Sequence, residues 1–561
     1  MNDRGSGGAD PPGAKGAPAA EVAHLEARFL SRLEYLNTIG IALSQERDID
    51  KLLETILVAA KNLTLADGGT LYRLVDDRLR FEIVRNDSLG ISMGGTSGNP
   101  VPFYPIPLHD KDGNPNRTMI AAYAALNNRT VNIADAYTEE GFDFSGTRNF
   151  DKRTGYRSTS FLTVPMKNHE GEIIGVLQLL NAIDPATRRV VPFSEEDGRL
   201  AESLASQAAI ALTNRLLIQQ LEVLFESLIE LINTAIDDKS PYTGGHCKRV
   251  PTLTMMLAEA AHAANEGPLG EFRMTDKDRY ELKIAGLLHD CGKITTPVHV
   301  VDKATKLQTI YDRIGLLDTR FEALKREAEI AMLRGRIAAM QADDAASARR
   351  AEEDFEARVR QYDDDREFLR RTNIGGERMS PDDQARVSRI AQYQWTGPAG
   401  PERFLSRDEE ANLNIPYGTL NAQEREIINH HIVATIKMLE ALPWPRHLVN
   451  VPEYAGGHHE RMDGKGYPRG LNRSQMSVQA RVMGIADIFE ALTAKDRPYK
   501  PGKTLSESLA ILGKFKENGH IDPDLFDIFI KDEVYLRYAR EFLDPEQIDE
   551  VDLAKIPGAR R

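Results

Sequence analysis

The stretch 196–238 contains no proline and repeats apolar side chains at three- and four-residue steps, at Ile210, Leu217, Leu221, Leu224, Leu228, Leu231 and Ala235. That spacing returns side chains to one face turn after turn, and predicts a single long helix. Asn214 falls in the same register, as in a parallel two-stranded coiled coil, where an amide in the seam fixes alignment at some cost in stability. The alternative is an amphipathic helix packed within its own chain. Either way the helix divides the sequence, and a continuous helix between two domains offers a route for a signal from one to the other.

Before it, the Gly/Ala/Pro-rich start has too little apolar side chain to offset ordering entropy, so residues 1–24 are expected to be a disordered tail. Residues 25–197 read as an α+β domain. Helical periodicity over Leu36–Leu63 leads into strands, of which the clearest form a hairpin: Ser160–Met166, a Glu170-Gly171 turn, and Ile173–Leu180. After the connecting helix at 198–238, residues 239–545 are mainly helical and 546–561 form a second tail. An unusual stretch at 308–417 interrupts the helical part. Ile314, Leu317, Phe321, Leu324 and Ala328, a polar break at 341–345, then Phe355, Val359, Tyr362 and Leu369 predict a protruding helical hairpin with thin apolar stripes.

With 561 residues there is ample chain for several cores, and a net charge of −14 disfavours broad binding to nucleic acid or anionic lipid, which needs a basic face. Two cysteines exclude a disulfide-stapled scaffold. No apolar run reaches the roughly 18 residues of a membrane span, and the start lacks a signal-peptide core, so a cytoplasmic protein is expected.

Nine of the thirteen histidines lie between 246 and 459, several beside an acid or another histidine: His289-Asp290, His430-His431, His458-His459. Packing alone does not explain that density on a helical scaffold, and a metal site does. Imidazole and carboxylate without thiolate suit iron or manganese better than structural zinc. Cys247 and Cys291 each follow a candidate ligand directly, so on a helix each would point about 100° away from the metal. They read as small buried side chains, with a redox pair as the alternative.

Leu288-His289-Asp290-Cys291-Gly292-Lys293 resembles the HD signature of metal-dependent phosphohydrolases. Gly457-His458-His459-Glu460-Arg461-Met462-Asp463-Gly464-Lys465-Gly466-Tyr467-Pro468 resembles the longer signature of the HD-GYP family. The resemblance covers 240–306 and 418–530 and leaves 308–417 as an insertion. It implies an all-α domain holding two or three divalent metal ions that hydrolyses cyclic di-GMP, to pGpG or on to GMP. Carried over by residue, one ion would be held by His246, His289, Asp290 and Asp487. The other would share Asp290 and take His431, His458 and His459, with His431 preferred over His430 by its distance from Leu439. Lys293 would act with Asp290 in catalysis, and Lys293, Arg497 and Lys500 would meet the phosphates. The position four residues before His246, where members with a third metal carry glutamate, is Tyr242, so two ions are expected. Glu490 replaces a usual aspartate, and the Asp487 to Arg497 spacing is one residue longer than the commonest form of the family. The loop formed by Arg461, Asp463, Gly464, Gly466, Tyr467 and Pro468 would serve either as a docking site for a diguanylate-cyclase partner or as the pocket rim, its glycine permitting a tight turn.

In the first domain, Phe150–Arg157 and Gly175–Asn181 are similar to GAF domains of cyclic-nucleotide phosphodiesterases. Asn181, Phe193 and Asp197 match a motif in which Ala182 and Gly198 depart. Such residues often hold the fold together, so an unknown small ligand, or none, remains open there. The expectation is thus an α+β GAF sensor, a long connecting helix and an all-α HD-GYP domain with an inserted helical hairpin, as a homodimer. The rivals are a phosphohydrolase of another cyclic (di)nucleotide and a non-catalytic scaffold.

Overall fold

In the computed structural model, residues 19–239, 245–376, 378–398, 400–494 and 502–559 are described. The chain divides into two units, up to Phe225 and from Glu226 onward.

The first unit opens with two helices, α1 (Ala19–Gln45) and α2 (Ile49–Thr64). The periodicity over Leu36–Leu63 is therefore not one helix. The chain breaks at 46–48, where the Asp48 carboxylate accepts from the Lys51 N–H and starts α2 afresh. Strands β1 (Ala66–Val75), β2 (Arg78–Asn86), β3 (Ile91–Gly94), β4 (Ile106–Pro107), β5 (Val131–Ile133), β6 (Phe161–Lys167), β7 (Ile173–Ile183) and β8 (Val190–Val191) form one antiparallel sheet. Its order is β3-β2-β1-β7-β6-β5, with β4 on β2 and β8 on β7. The period of two along each strand sorts side chains between two cores. Leu71 and Leu177 join Leu53, Ile56 and Leu57 of α2, whereas their neighbours Tyr72 and Val176 pack on the other face with Ala121, Ala122 and Ala125 of α3 (Ile120–Asn127). The predicted hairpin is β6–β7. Asn181 sits at φ +54 and ties the 156–160 segment to it, its side chain accepting from the N–H groups of Thr159 and Ser160 and donating to Tyr156 Oη and Arg157 O. After α4 (Ser145–Thr154), the last helix of this unit, α5 (Glu195–Lys239), begins here, buries Leu204, Ala208 and Leu212, and continues past Phe225.

The second unit is almost wholly helical. It comprises α6 (His246–Ala263), α7 (Asp276–Leu288), α8 (Val298–Val301), α9 (Ile314–Gln341), α10 (Ala345–Asn373), α11 (Pro381–Ile390), α12 (Arg407–Leu413), α13 (Ala422–Glu440), α14 (Val451–Gly456), α15 (Val478–Thr493), α16 (Leu505–Glu517), α17 (Pro523–Lys531) and α18 (Val534–Phe542). A two-stranded ribbon, β9 (Gln394–Gly397) and β10 (Gly400–Arg403), lies between α11 and α12. α6 packs on α7 and α15, closely enough that a Cβ at Gly286 would lie 3.2 Å from Pro251 Cα. The expected hairpin is α9–α10, turning at Asp343 and Asp344 where the polar break was expected. It is not confined to thin stripes. Leu317, Phe321, Leu324, Leu369, Val387 and Phe404 build a core that draws in α11 and the ribbon. None of the described helices is long and apolar enough to cross a membrane.

Candidate metal centre

Five separate segments converge at the site. His246 opens α6, His289 closes α7 with Asp290 in the turn after it, and His431 stands in the middle of α13. His458 and His459 follow α14, and Asp487 lies on α15. Gly292 makes the convergence possible. A Cβ there would lie 2.1 Å from the His431 carbonyl oxygen, so only glycine lets the turn bearing Asp290 press against α13. The Gly292 N–H donates to Thr435 Oγ1 at 2.9 Å and locks the contact.

The seven residues fall into two clusters, His246, His289, Asp290 and Asp487 in one and His431, His458 and His459 in the other. Asp290 belongs to both by geometry: Oδ2 lies 3.1 Å from His246 Nε2 and 3.3 Å from His289 Nε2, while Oδ1 lies 3.2 Å from His431 Nε2. Asp487 Oδ1 is 3.5 Å from His246 Nε2. His430, next to the chosen His431, faces solvent.

The ring orientations fit cation binding. His289, His431 and His458 each donate from Nδ1 to the carbonyl three residues back, at 2.7, 2.5 and 2.6 Å, which leaves each Nε2 as a bare lone pair aimed inward. His289 Nε2, His458 Nε2 and Asp290 Oδ1 are buried and make no hydrogen bond. His431 Nε2 and His459 Nε2 face each other at 3.2 Å. Unpaired buried acceptors crowded together are costly unless a cation sits among them. The set of imidazoles and carboxylates therefore suits divalent metal ions.

The electrostatics agree. Burial drives His458 down to about 4, helped by His289, and burial with His458 and His431 holds His459 well below its ordinary value. Both are neutral electron-pair donors at pH 7. Burial alone would raise Asp290, but the Lys293 ammonium, 2.5 Å away, and the imidazoles outweigh it and hold the carboxyl well below the usual carboxylate range. His246 is the exception. Burial opposes its charge, yet Asp290 and Glu490 raise it to about 9.

Glu490, three residues after Asp487 and so on the same face of α15, is a contact that sequence reasoning noted only as a departure. It accepts from His246 Nδ1 at 2.6 Å and from Arg249 Nε at 2.7 Å, and these partners outweigh burial and pull it to about 2. The 461–468 loop is anchored by buried Glu460, which accepts from the N–H groups of Arg469 and Leu471, and by the Arg461–Asp463 ion pair at 2.8 Å. The left-handed turn falls at Gly464, φ +76, rather than at Gly466; a Cβ at Gly466 would instead strike Arg461 N at 2.4 Å. Tyr467 stacks on His459 with ring centres 4.8 Å apart. Cys247 and Cys291 are free and buried, and burial raises both thiols, Cys291 to about 11. That removes the thiolate a redox pair needs. Arg497, Lys500 and Tyr242 lie outside the described residues. A cleft of about 510 Å³ opens beside His458, His459 and Asp487, bordered by Tyr467, by Lys503 and by Tyr417. Lys503 and Tyr417 carry no motif that sequence reasoning could have read.

Comparison with known proteins bears on the whole arrangement. A GAF domain family matches residues 48–212, and two HD domain families match 243–363 and 408–525. The chain is 42% identical over 81 residues to a 3′3′-cGAMP-specific phosphodiesterase of Vibrio cholerae, covering 14% of this chain and 19% of that protein. It is 45% identical over 74 residues to a cyclic di-GMP phosphodiesterase of Pseudomonas aeruginosa, covering 13% and 17%. It thus spans less than a fifth of the length of either relative. A crystal structure of the GAF domain from an Acinetobacter phosphoenolpyruvate-protein phosphotransferase is 16% identical over 34% of this chain and 98% of that one, with a TM-score of 0.25. This chain is a GAF domain followed by HD-domain sequence, related over part of its length to phosphodiesterases of cyclic dinucleotides.

Proposed function

We propose that the HD part hydrolyses one 3′–5′ phosphodiester bond of cyclic di-GMP, giving pGpG, under the control of the GAF domain in a homodimer. The water oxygen goes to phosphorus, the P–O3′ bond breaks, and the proton ends on the 3′ oxygen. Two iron or manganese ions would be held by His246, His289, Asp290 and Asp487 and by Asp290, His431, His458 and His459. When bound they supply Lewis acidity towards a phosphate oxygen and towards water. The observation that carries this reading is Asp290, whose two oxygens face separate groups of imidazoles, as a bridging carboxylate requires.

The chain's own residues do the rest. Lys293 stands beside Asp290, where its ammonium can meet an equatorial phosphate oxygen, and Arg497 and Lys500 are assigned to the phosphates with it. Tyr467 holds the His459 ring in place by stacking and closes one wall of the cleft. The 461–468 loop is the proposed contact for a diguanylate-cyclase partner, and the domain limits are 25–197, 198–238 and 239–545 with 308–417 inserted. The names of the relatives favour one other substrate, 3′3′-cGAMP, because metal and lysine recognise phosphate and not the base.

Metal analysis of anaerobically purified protein and chromatography of its products from both dinucleotides test the reading together. About two iron or manganese ions per chain and pGpG from cyclic di-GMP are expected. Asp290→Ala should lose metal and activity, whereas Lys293→Ala should keep metal and lose about 10²–10³-fold in turnover. Zinc alone, or faster cleavage of 3′3′-cGAMP, overturns the corresponding part.

A further inference from the structure

The GAF domain encloses a cavity of about 410 Å³, within the size range of small-molecule sites, which the chemistry above does not use. Thr70, Val84, Gln178 and Leu180 stand mid-strand in β1, β2 and β7 and line it, yet all four keep contact with solvent. The layer over them, formed by the starts of α3 and α4 and the chain around Phe103, leaves a hollow instead of packing down on the sheet.

Its walls are aromatic: Tyr72, Phe81, Phe103, Phe144, Phe150 and Phe161. Tyr72 and Phe81 lie 4.7 Å apart, Phe81 and Phe103 5.2 Å, Phe144 and Phe161 5.5 Å, so rings already pack on one another and present further faces to an occupant. Charge in the cavity is committed elsewhere. The Arg85 guanidinium bonds Glu54 at 2.7 Å and the carbonyls of Met93 at 2.8 Å and Val84 at 3.1 Å, which leaves it poorly placed to meet a phosphate. Asp143 accepts from the Ser145 N–H at 2.8 Å and sets a carboxylate at the start of α4, where a phosphate would otherwise be welcome. Arg153 is exposed at the edge. The interior offers neutral groups instead. Gln178 accepts from Tyr72 Oη at 3.0 Å and donates to Thr163 Oγ1 at 3.1 Å, which leaves one amide hydrogen over.

We propose that this cavity binds an uncharged aromatic molecule of one or two rings whose acceptor atom meets the Gln178 amide, in preference to a cyclic nucleotide or other phosphate ester. Among the described residues the cations at the cavity are Arg85, which is committed to other partners, and Arg153, which is exposed at its edge, so the desolvation of a phosphate inside would be poorly offset.

Met93 and Met119 also line the cavity and report on it without mutation. The full chain, labelled at methionine methyls and titrated with 2-naphthol, should show saturable shifts of these two signals, assigned by Met→Leu variants. Equal concentrations of cAMP or cGMP should leave them in place. Gln178→Leu should weaken 2-naphthol by about tenfold, the worth of one hydrogen bond, and Leu180→Trp, which fills the hollow, should abolish its effect. Should the tryptophan variant fail to fold, the wild-type titration and Gln178→Leu decide. Silent methyls with 2-naphthol, a stronger response to cAMP or cGMP, or undiminished affinity in Gln178→Leu overturns the proposal.

Discussion

The His246 ring lies between two carboxylates, with Asp290 at 3.1 Å on Nε2 and Glu490 at 2.6 Å on Nδ1. Only one of these faces the clustered imidazoles. Glu490 acts from behind, fixing the ring and the tautomer, while its other oxygen is occupied by Arg249. Glu490→Gln should leave the fold intact but weaken metal binding by about 10–100-fold, measured by competition with a chelator. Unchanged affinity would reduce Glu490 to an anchor for Arg249. The seven clustered residues were legible in the sequence because most sit in short runs, such as His289-Asp290 and His458-His459, whose chemistry is local. Glu490 was not. Its partner is 244 positions away in the chain, and nothing in the letters around it says which way a glutamate on α15 turns.

Among the elements, the region 308–417, expected as an insertion, best separates pattern from packing. Its helices and their turn followed from spacing alone, but its core did not, because Phe404 and Val387 come from segments with no long periodicity of their own. The boundary between α1 and α2 was missed for a related reason. Apolar spacing continued across it, and the Asp48 cap, readable in hindsight, outweighed that spacing. Just before the region 308–417, Lys306 is 3% exposed, donates to the Leu413 carbonyl at 3.0 Å and lies 3.7 Å from Met379 Sδ. Burial pulls its pKa down to about 8 against an opposing pull from Asp383. An unfolded lysine titrates near 10.4. Between pH 8 and that value the unfolded chain holds more protons, so stability should rise with pH there; below pH 8 the cost of the buried charge is present in full. Lys306→Met should stabilise the protein by about 1–3 kcal/mol at pH 7, and flatten the rise between pH 8 and 10 in thermal unfolding. A less stable variant at pH 7 would mean that the bond to Leu413 outweighs the desolvation.

At the scale of the whole molecule, the helix α5 poses the open question of assembly. One end is accounted for, since Leu204, Ala208 and Leu212 are buried in the core that their own domain builds from α1, α2 and the sheet. Farther on Ile229 and Ile236 are buried, whereas the leucines that continue the periodicity, Leu221, Leu224, Leu228 and Leu231, are 64, 55, 50 and 65% exposed. Of the two readings of this helix, packing within its own chain thus accounts for the first turns and, farther on, for Ile229, Asn233 and Ile236, and leaves the row of leucines exposed. A row of bare leucines costs solubility unless something covers it, and a second copy presents the same row in the same register, with Asn214 to fix alignment. Leu221 and Leu228 lie one heptad apart, so Leu221→Asp with Leu228→Asp would set two carboxylates from each chain into one seam, where burial is prohibitive. Light scattering should then give the mass of one 62.6 kDa chain where the unaltered protein gives two. A wild-type protein that is already monomeric removes the seam altogether, and a double variant that stays dimeric moves the contact away from α5. If the seam holds, every HD domain is tied to a second one through the helix that leaves its GAF domain.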